Sequence, residues 1–260
     1  MESSTDELNK VAKITLYFWI MKVIATTLGE MLGDFFSMTL NLGYIISLGI
    51  TVAFLLVVLI IQLSGSTFHA AIYWLVIVGT TTVGTEISDL MDRTLGLGYA
   101  WGSLILFSCL LFTLFVWHKT ENGINVYPVT KRRVEIFYWA AILFSNSLGT
   151  AFGDYLSDNM GLSYLTGAIV TAAIILIVVL LHYYTKINHI LLFWIAFIFT
   201  RPFGATFGDL LTKPLSKGGL NFGRGVGALI AAVLLSLIIF YSRRNEKQKE
   251  LNNNGEKVVS

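Results

Sequence analysis

Eight apolar stretches of about 20 residues, separated by short polar connections, run through nearly the whole chain. About 20 residues of α-helix cross a bilayer core of roughly 30 Å, so each stretch is long enough to span a membrane. The predicted spans are 14–36, 43–63, 70–91, 97–118, 134–156, 162–184, 188–210 and 222–241. The pattern predicts an all-α membrane protein with eight transmembrane helices, because it lacks the shorter alternating strands of a membrane barrel.

Composition supports the same class. Of 260 residues, 55% are hydrophobic and 13% are charged, which is too apolar for an ordinary soluble domain of this length. The chain has one cysteine, Cys109, and the sequence holds no Cys/His zinc pattern, nucleophile–base set or nucleotide-binding loop. We therefore expect no enzymatic activity, no cofactor and no nucleic-acid partner.

A pattern of tryptophan, glycine and aspartate recurs four times at constant spacing. The tryptophans are Trp19, Trp74, Trp139 and Trp194; a glycine follows each by 10 residues (Gly29, Gly84, Gly149 and Gly204) and an aspartate by 15 (Asp34, Asp89, Asp154 and Asp209). Each copy contains two apolar stretches, so the predicted unit is a pair of helices joined by a short turn. Two crossings give every copy the same orientation, which makes the repeat parallel rather than inverted.

The polar segment "KTENGINVYPVTKRR" divides the four units into two duplicated halves. The predicted organisation is an N-terminal tail over 1–13, repeats 1 and 2 over 14–118, a linker over 119–133, repeats 3 and 4 over 134–241, and a tail over 242–260. The last segment is polar and charged, and this composition is typical of disorder.

The Lys and Arg residues predict the orientation. With the N-terminus inside, twelve of them lie on the inner side: Lys10, Lys13, Lys119, Lys131, Arg132, Arg133, Lys186, Arg243, Arg244, Lys247, Lys249 and Lys257. Only four lie on the outer side, namely Arg93, Lys213, Lys217 and Arg224. Because cytoplasmic loops are enriched in Lys and Arg, we expect both termini and the linker to be cytoplasmic.

The repeat segments resemble a known family. They read "YFWIMKVIATTLGEMLGDF", "IYWLVIVGTTTVGTEISDL", "FYWAAILFSNSLGTAFGDYL" and "FWIAFIFTRPFGATFGDLL". Over about 14–241 the chain resembles bacterial multi-spanning membrane proteins built from four tandem two-helix repeats of unknown function. The resemblance implies the helical fold and a location in the bacterial cytoplasmic membrane, and it implies no particular activity.

Each odd-numbered helix carries a polar stripe, because residues i, i+4 and i+8 share one face. The stripes are Thr26, Glu30 and Asp34; Thr81, Thr85 and Asp89; Asn146, Thr150 and Asp154; and Arg201, Ala205 and Asp209. Beside each stripe lie two small residues four apart, such as Gly29 and Gly33, which allow close helix packing in a membrane. We expect the odd helices to pack through these residues, in a pseudo-fourfold arrangement or as two duplicated halves, with their polar stripes on a shared axis and the even helices facing lipid.

Three charged residues depart from the repeat: Glu30, Glu86 and Arg201. A lone charge near mid-membrane costs several kcal/mol, so Arg201 should have a partner, and Glu30 and Glu86 are the candidates. The pair is either structural or functional. The four repeated aspartates are likewise either helix caps or functional groups facing a wet cavity. The tryptophans are expected at the inner membrane interface, with Lys22 reaching the same surface.

The leading hypothesis is a transporter of a small cation, such as the divalent metal Mn²⁺ or a proton-coupled cation, because carboxylate, hydroxyl and amide oxygens are hard ligands. The candidate substrate-binding or proton-coupling residues are Glu30, Asp34, Glu86, Asp89, Asp154, Asp209, Arg201, Thr26, Thr81 and Asn146; the candidate metal ligands are Glu30, Asp34, Asp89, Asp154 and Asp209. Two alternatives remain: a transporter that binds an anionic solute through Arg201, and a non-transporting sensor or interaction protein with structural acids. The expected partners are the lipid bilayer, a small cation or proton, and further copies of the chain in a homo-oligomer.

Overall fold

The computed structural model describes residues 9–259, and the side chains of residues 9–245. Within 9–259 it has eight α-helices and no strand: α1 (Leu16–Asp34), α2 (Gly43–Ser64), α3 (Ala70–Asp89), α4 (Tyr99–Glu121), α5 (Arg132–Asp154), α6 (Tyr164–Tyr184), α7 (His189–Thr212) and α8 (Arg224–Val259). Each of the first three odd helices continues into one π-helical turn: Phe35–Thr39, Leu90–Thr94 and Tyr155–Asn159. The prediction of eight helices is confirmed.

Seven of these helices are long and apolar enough to cross a membrane, and this indicates a membrane location. The helix outside that set is α1, which carries Lys22, Glu30 and Asp34 within its 19 residues. All three side chains are buried. Packing inside the protein therefore makes the low apolarity of α1 compatible with a membrane-spanning position.

The odd helices form a closed ring in the order α1, α3, α5, α7 and back to α1. Each even helix packs outside this ring, mainly on the odd helix of the following repeat: α2 on α3, α4 on α5, α6 on α7, and α8 on α1. The even helices expose large apolar side chains, among them Ile45, Phe112 and Leu229. Such a surface suits lipid, while the odd helices are largely enclosed.

Glycines set the distance between neighbouring odd helices. The repeated glycine of one helix faces a polar residue of the next: Gly29 faces Thr81, Gly84 faces Asn146, Gly149 faces Arg201, and Gly204 faces Thr26. A Cβ atom added at Gly29 would lie 2.0 Å from Thr81 Oγ1, and one added at Gly84 would lie 2.9 Å from the backbone nitrogen of Ser147. The missing side chain thus makes room for the polar stripe of the neighbouring helix.

Three of the four repeat tryptophans, Trp74, Trp139 and Trp194, are buried inside the protein, and the expectation of an interfacial belt is wrong for them; Trp19 is half-buried. Trp74 and Trp139 are 2% exposed, because each packs against an aromatic residue of the neighbouring odd helix. The ring centroids are 5.7 Å apart for Phe18 and Trp74, and 5.3 Å apart for Tyr73 and Trp139. We call this end of the ring the tryptophan end, and the opposite one, where the repeated aspartates lie, the aspartate end.

Both predicted tails contain ordered residues where the structure describes them, although disorder was predicted only for the C-terminal one. Residues 1–8 lie outside the described part, but residues 9–12 are buried. The backbone nitrogen of Lys10 donates to Val129 O at 2.9 Å, and that of Val129 donates to Asn9 Oδ1 at 2.9 Å. The backbone of α8 continues to Val259, where the sequence predicted disorder from residue 242. The run "NEKQKE" consists largely of good helix formers, and these allow the helix to continue past its apolar part.

Candidate functional site

The polar stripes of the four repeats converge inside the ring, as their spacing predicted. We call this interior the polar axis and describe it as four layers, from the tryptophan end to the aspartate end. The layers are Lys22, Ile77, Ile142 and Phe197; Thr26, Thr81, Asn146 and Arg201; Glu30, Thr85, Thr150 and Ala205; and Asp34, Asp89, Asp154 and Asp209. Every one of these side chains is buried. A one-turn spacing of four residues puts the layers about 6 Å apart along the helices.

Arg201 occupies the middle of the polar axis and is fully buried. Its Nη2 lies 2.8 Å from Glu30 Oε2 and also donates to Thr85 Oγ1, while its Nη1 donates to the backbone oxygen of Thr26 at 3.3 Å. Thr85 Oγ1 lies 3.3 Å from the same Glu30 oxygen. The predicted partner of Arg201 is therefore Glu30, and helices α1, α3 and α7 meet at this pair.

Glu86 does not share this site. It follows Thr85 directly, so it points about 100° around the helix from the polar stripe. Its Oε1 accepts a hydrogen bond from Ser47 Oγ of α2, and its Oε2 has no hydrogen-bond partner although it is buried. The expectation that Glu86 lines the central axis or pairs with Arg201 is wrong.

Lys22 lies at the centre of the ring, and the expectation that it reaches the membrane surface is wrong. Instead of reaching the membrane surface, its ammonium is fully buried and donates to Asn146 Oδ1 at 2.9 Å. It also lies 4.0 Å from the centroid of the Phe197 ring. The spacing could have predicted this position, because Lys22 precedes Thr26 by four residues and so extends the polar stripe of α1 by one turn.

Cations bridge the four aspartates at the aspartate end. Lys213 Nζ lies 2.9 Å from Asp34 and 3.1 Å from Asp209. On the other side, Arg93 lies 2.8 Å from Asp89 and 3.6 Å from Asp154. Arg224 Nε adds a second contact to Asp34 at 2.9 Å. Ion pairs thus occupy these carboxylates, and the side chains of Asp34, Asp89 and Asp154 do not cap the π-helical turns that follow them.

Lys213 follows the last residue of α7, and its charge is held by its two acidic neighbours. Burial disfavours the ammonium, but Asp209 and Asp34 outweigh this effect and raise the pKa of Lys213 above its usual value. Arg93 and Lys213 each follow an aspartate by four residues. This spacing places both cations on the same helix face as the aspartates, so it predicts the two ion pairs, which their position among the outer charges did not.

The predicted metal ligands lie close to one another but face protein cations. Glu30 contacts Arg201, and Asp34, Asp89, Asp154 and Asp209 contact the three cations of the aspartate end. In the part of the chain that the structure describes, no group of three or more His, Cys, Asp or Glu side chains could hold a metal ion. A metal on this axis would first have to displace Lys or Arg side chains.

A second buried network closes the tryptophan end. Glu135, which the sequence analysis did not select, is fully buried and forms an ion pair with Lys10. Gln62 Nε2 donates to Glu135 at 2.8 Å and to the backbone oxygen of Lys10 at 3.0 Å. The hydroxyls of Tyr73 and Tyr138 lie 2.6 Å apart. The N-terminal segment, α2, α3 and α5 are thus held together at this end.

Comparison with known proteins gives one match. Four successive segments, 17–65, 72–122, 137–188 and 192–248, match a family model described as a repeat of unknown function, DUF347. Each segment holds one tryptophan and one aspartate of the pattern that builds the polar axis. Neither a curated protein nor a solved structure matches the chain.

Proposed function

Because the chain belongs to the DUF347 family, whose repeat has no known function, we propose its function from the geometry: it transports a small cation along the polar axis. The observation that carries the proposal is the Arg201–Glu30 pair at mid-depth, enclosed by a ring of four helices. Charged side chains inside a membrane are costly and commonly mark ion or proton pathways. The substrate class is a divalent metal such as Mn²⁺, or a cation whose movement is coupled to protons.

The protein's own cations support a mechanism of exchange. In the state described, Arg201 occupies the position beside Glu30 that a transported cation would take, and Lys213 and Arg93 do the same at the aspartates. An entering cation would replace a tethered cation at its carboxylate. Arg201 would keep its contact with the backbone oxygen of Thr26 while it releases Glu30. The hard oxygen atoms of Glu30 and Thr85 suit Mg²⁺-like and Mn²⁺-like ions.

A second candidate function is transport of a small anionic solute. It is favoured by the charge at mid-depth, where Arg201 pairs with Glu30 while the buried Lys22 donates to the neutral Asn146. In addition, Arg201 Nε is buried and has no hydrogen-bond partner. A solute carboxylate could accept from this nitrogen, because guanidinium groups bind planar anions through two parallel hydrogen bonds.

Ion flux in liposomes tests the proposal. The purified protein would be reconstituted with a trapped dye that reports either Mn²⁺ or pH, and uptake would be compared with protein-free vesicles. The key variant is the double substitution Glu30→Gln/Arg201→Met, which removes both charges of the pair, so that neither is left buried without its partner. The matched control is Glu121→Gln, which alters a carboxylate at the tryptophan end, 3.4 Å from Lys131 and outside the polar axis.

We expect cation-dependent uptake by the unaltered protein and by Glu121→Gln, and none by the double variant. Cation uptake by the double variant at the unaltered rate would refute the role of this pair. Uptake of an acid solute, abolished by Arg201→Lys while no cation moves, would support the anion function instead. If no cation or anion moves while the double variant keeps its fold, the buried acids are structural and the chain is not a carrier.

A further inference from the structure

A long apolar groove runs along the outside of the ring between α2 and α8. Its volume is about 790 Å³, and its floor is formed by α1 and α3. The residues of α8 that line it run from Gly225 to Ile239, which corresponds to about 21 Å along the helix. The groove therefore covers most of the roughly 30 Å depth of a bilayer core.

Small residues create the groove. Gly79 on α3 and Ala228 and Ala232 on α8 line it, so that the two outer helices do not close over the ring at this point. The remaining lining is almost entirely apolar, with Leu28 and Phe54 among its members. The three hydroxyl groups in the lining each donate to a backbone oxygen of their own helix; they belong to Thr51, Thr82 and Ser236.

The groove ends beside two positive charges at the tryptophan end. A second, much smaller cavity shares Trp74 and Ile239 with the groove, so it lies directly beside this end of the groove. Lys13 and Arg243 line this smaller cavity, and so does the hydroxyl-bearing side chain of Ser242. Both basic side chains are exposed. An apolar channel thus leads to a pair of cations at the depth expected for lipid headgroups.

We propose that this groove binds one anionic phospholipid, with an acyl chain between α2 and α8 and the phosphate at Lys13 and Arg243. The charge pair complements a phosphate, and the apolar lining complements the chain. A second copy of the protein is the alternative occupant, and the pair of basic side chains at one end of the groove favours the lipid. The proposal is independent of the transport function, since the groove lies outside the ring.

Native mass spectrometry of the full-length protein tests this site. The probes are phosphatidylglycerol and phosphatidylcholine with identical acyl chains, added to the protein in detergent. The charge variant is Lys13→Gln/Arg243→Gln, and its matched control is Arg244→Gln, an exposed neighbour that does not line either cavity. The groove variant is Ala232→Phe, and its control is Val233→Phe, which adds the same ring on an exposed face of α8 outside the groove.

We expect the unaltered protein and both controls to retain one phosphatidylglycerol in preference to phosphatidylcholine. The charge variant should lose this preference by about 30-fold, because each basic residue near a membrane surface contributes about fivefold. Ala232→Phe should retain neither lipid. Equal retention of the two lipids by the unaltered protein would overturn the proposal, as would full retention by Ala232→Phe. A change from dimer to monomer caused by Ala232→Phe alone would also overturn it, because the groove would then hold a second copy.

Discussion

Neutralising Glu30 alone should destabilise the protein far more than removing both charges of its pair with Arg201. In Glu30→Gln the guanidinium stays charged and fully buried, and it keeps only its contacts to Thr85 and to the backbone oxygen of Thr26. Leaving one member of a buried ion pair without its partner typically costs about 3–5 kcal/mol. The cost arises from desolvation, because water cannot reach the middle of the ring to solvate the charge.

The double variant Glu30→Gln/Arg201→Met should recover most of that loss. Replacing a buried ion pair by neutral residues of similar volume is often neutral or stabilising, because the desolvation cost of both ions disappears. We therefore expect a coupling free energy of about 3 kcal/mol between the two positions. For a chain of this size, about 2–4 °C of Tm corresponds to each kcal/mol, so Glu30→Gln should lower the Tm by roughly 6–20 °C.

Thermal unfolding in one detergent at constant pH measures this difference. The control is Glu121→Gln, whose ion pair with Lys131 has a largely exposed partner and should contribute no more than about 1 kcal/mol. If Glu30→Gln unfolded at the same temperature as the unaltered protein, water would have to reach the pair, and this would refute the statement that the polar axis is enclosed at this depth. Additive effects of the two single substitutions would show that the two groups do not interact.

Three further predictions concern the ring and its ends. Gly84→Ala should destabilise the fold by about 1–3 kcal/mol, because the added Cβ would lie 2.9 Å from the backbone nitrogen of Ser147. The control Gly49→Ala should leave the Tm unchanged, since no atom lies within 4 Å of its Cβ, and equal Tm values for the two variants would contradict the close contact between α3 and α5. Lys22→Met should leave the Tm within a few degrees, since the lost hydrogen bond is offset by the removal of a buried charge, and a collapse of the fold would indicate an essential ion pair. Lys213→Leu should lower the Tm almost equally at pH 7 and pH 10, because a raised pKa makes the contribution of this lysine fully present below its unfolded-state pKa of about 10.4 and lost only above that value. A Tm difference that grows from pH 7 to pH 10 would contradict the raised pKa, because a lysine with a lowered pKa becomes more stabilising as the pH rises.

The sequence was sufficient for the helices and for the ring. Apolar length located all eight helices, and the constant register of glycine and aspartate identified which faces pack together. The glycine ten residues after each tryptophan predicted a close contact, and the structure places it against the polar residue of the next helix. These features were predictable because they depend on spacing within a single helix and on its fourfold repetition.

Features that depend on the neighbouring helix could not be predicted in the same way. Trp74 has the sequence position of an interfacial residue, but the aromatic residue that covers it, Phe18, comes from another repeat. Lys22 has a side chain long enough to reach the surface, and only the presence of Asn146 opposite it explains its burial. Glu30 and Glu86 have similar local sequences, but their side chains point in different directions around their helices. Glu30 therefore faces Arg201 on the polar axis, whereas Glu86 faces Ser47 of α2.

The placement of each outer helix on the following repeat makes the two halves of the chain interdependent. In the intact chain α4 covers α5 and α8 covers α1. A cut in the 122–131 connection would therefore give two fragments of the same design. In each fragment the last helix would have no odd helix to pack on, and the first helix would have no even helix to cover it. The two fragments would have to interlock to bury their surfaces. A gene that encoded only two such units would therefore be expected to produce a twofold symmetric dimer, in which the last helix of each chain packs on the first helix of the other.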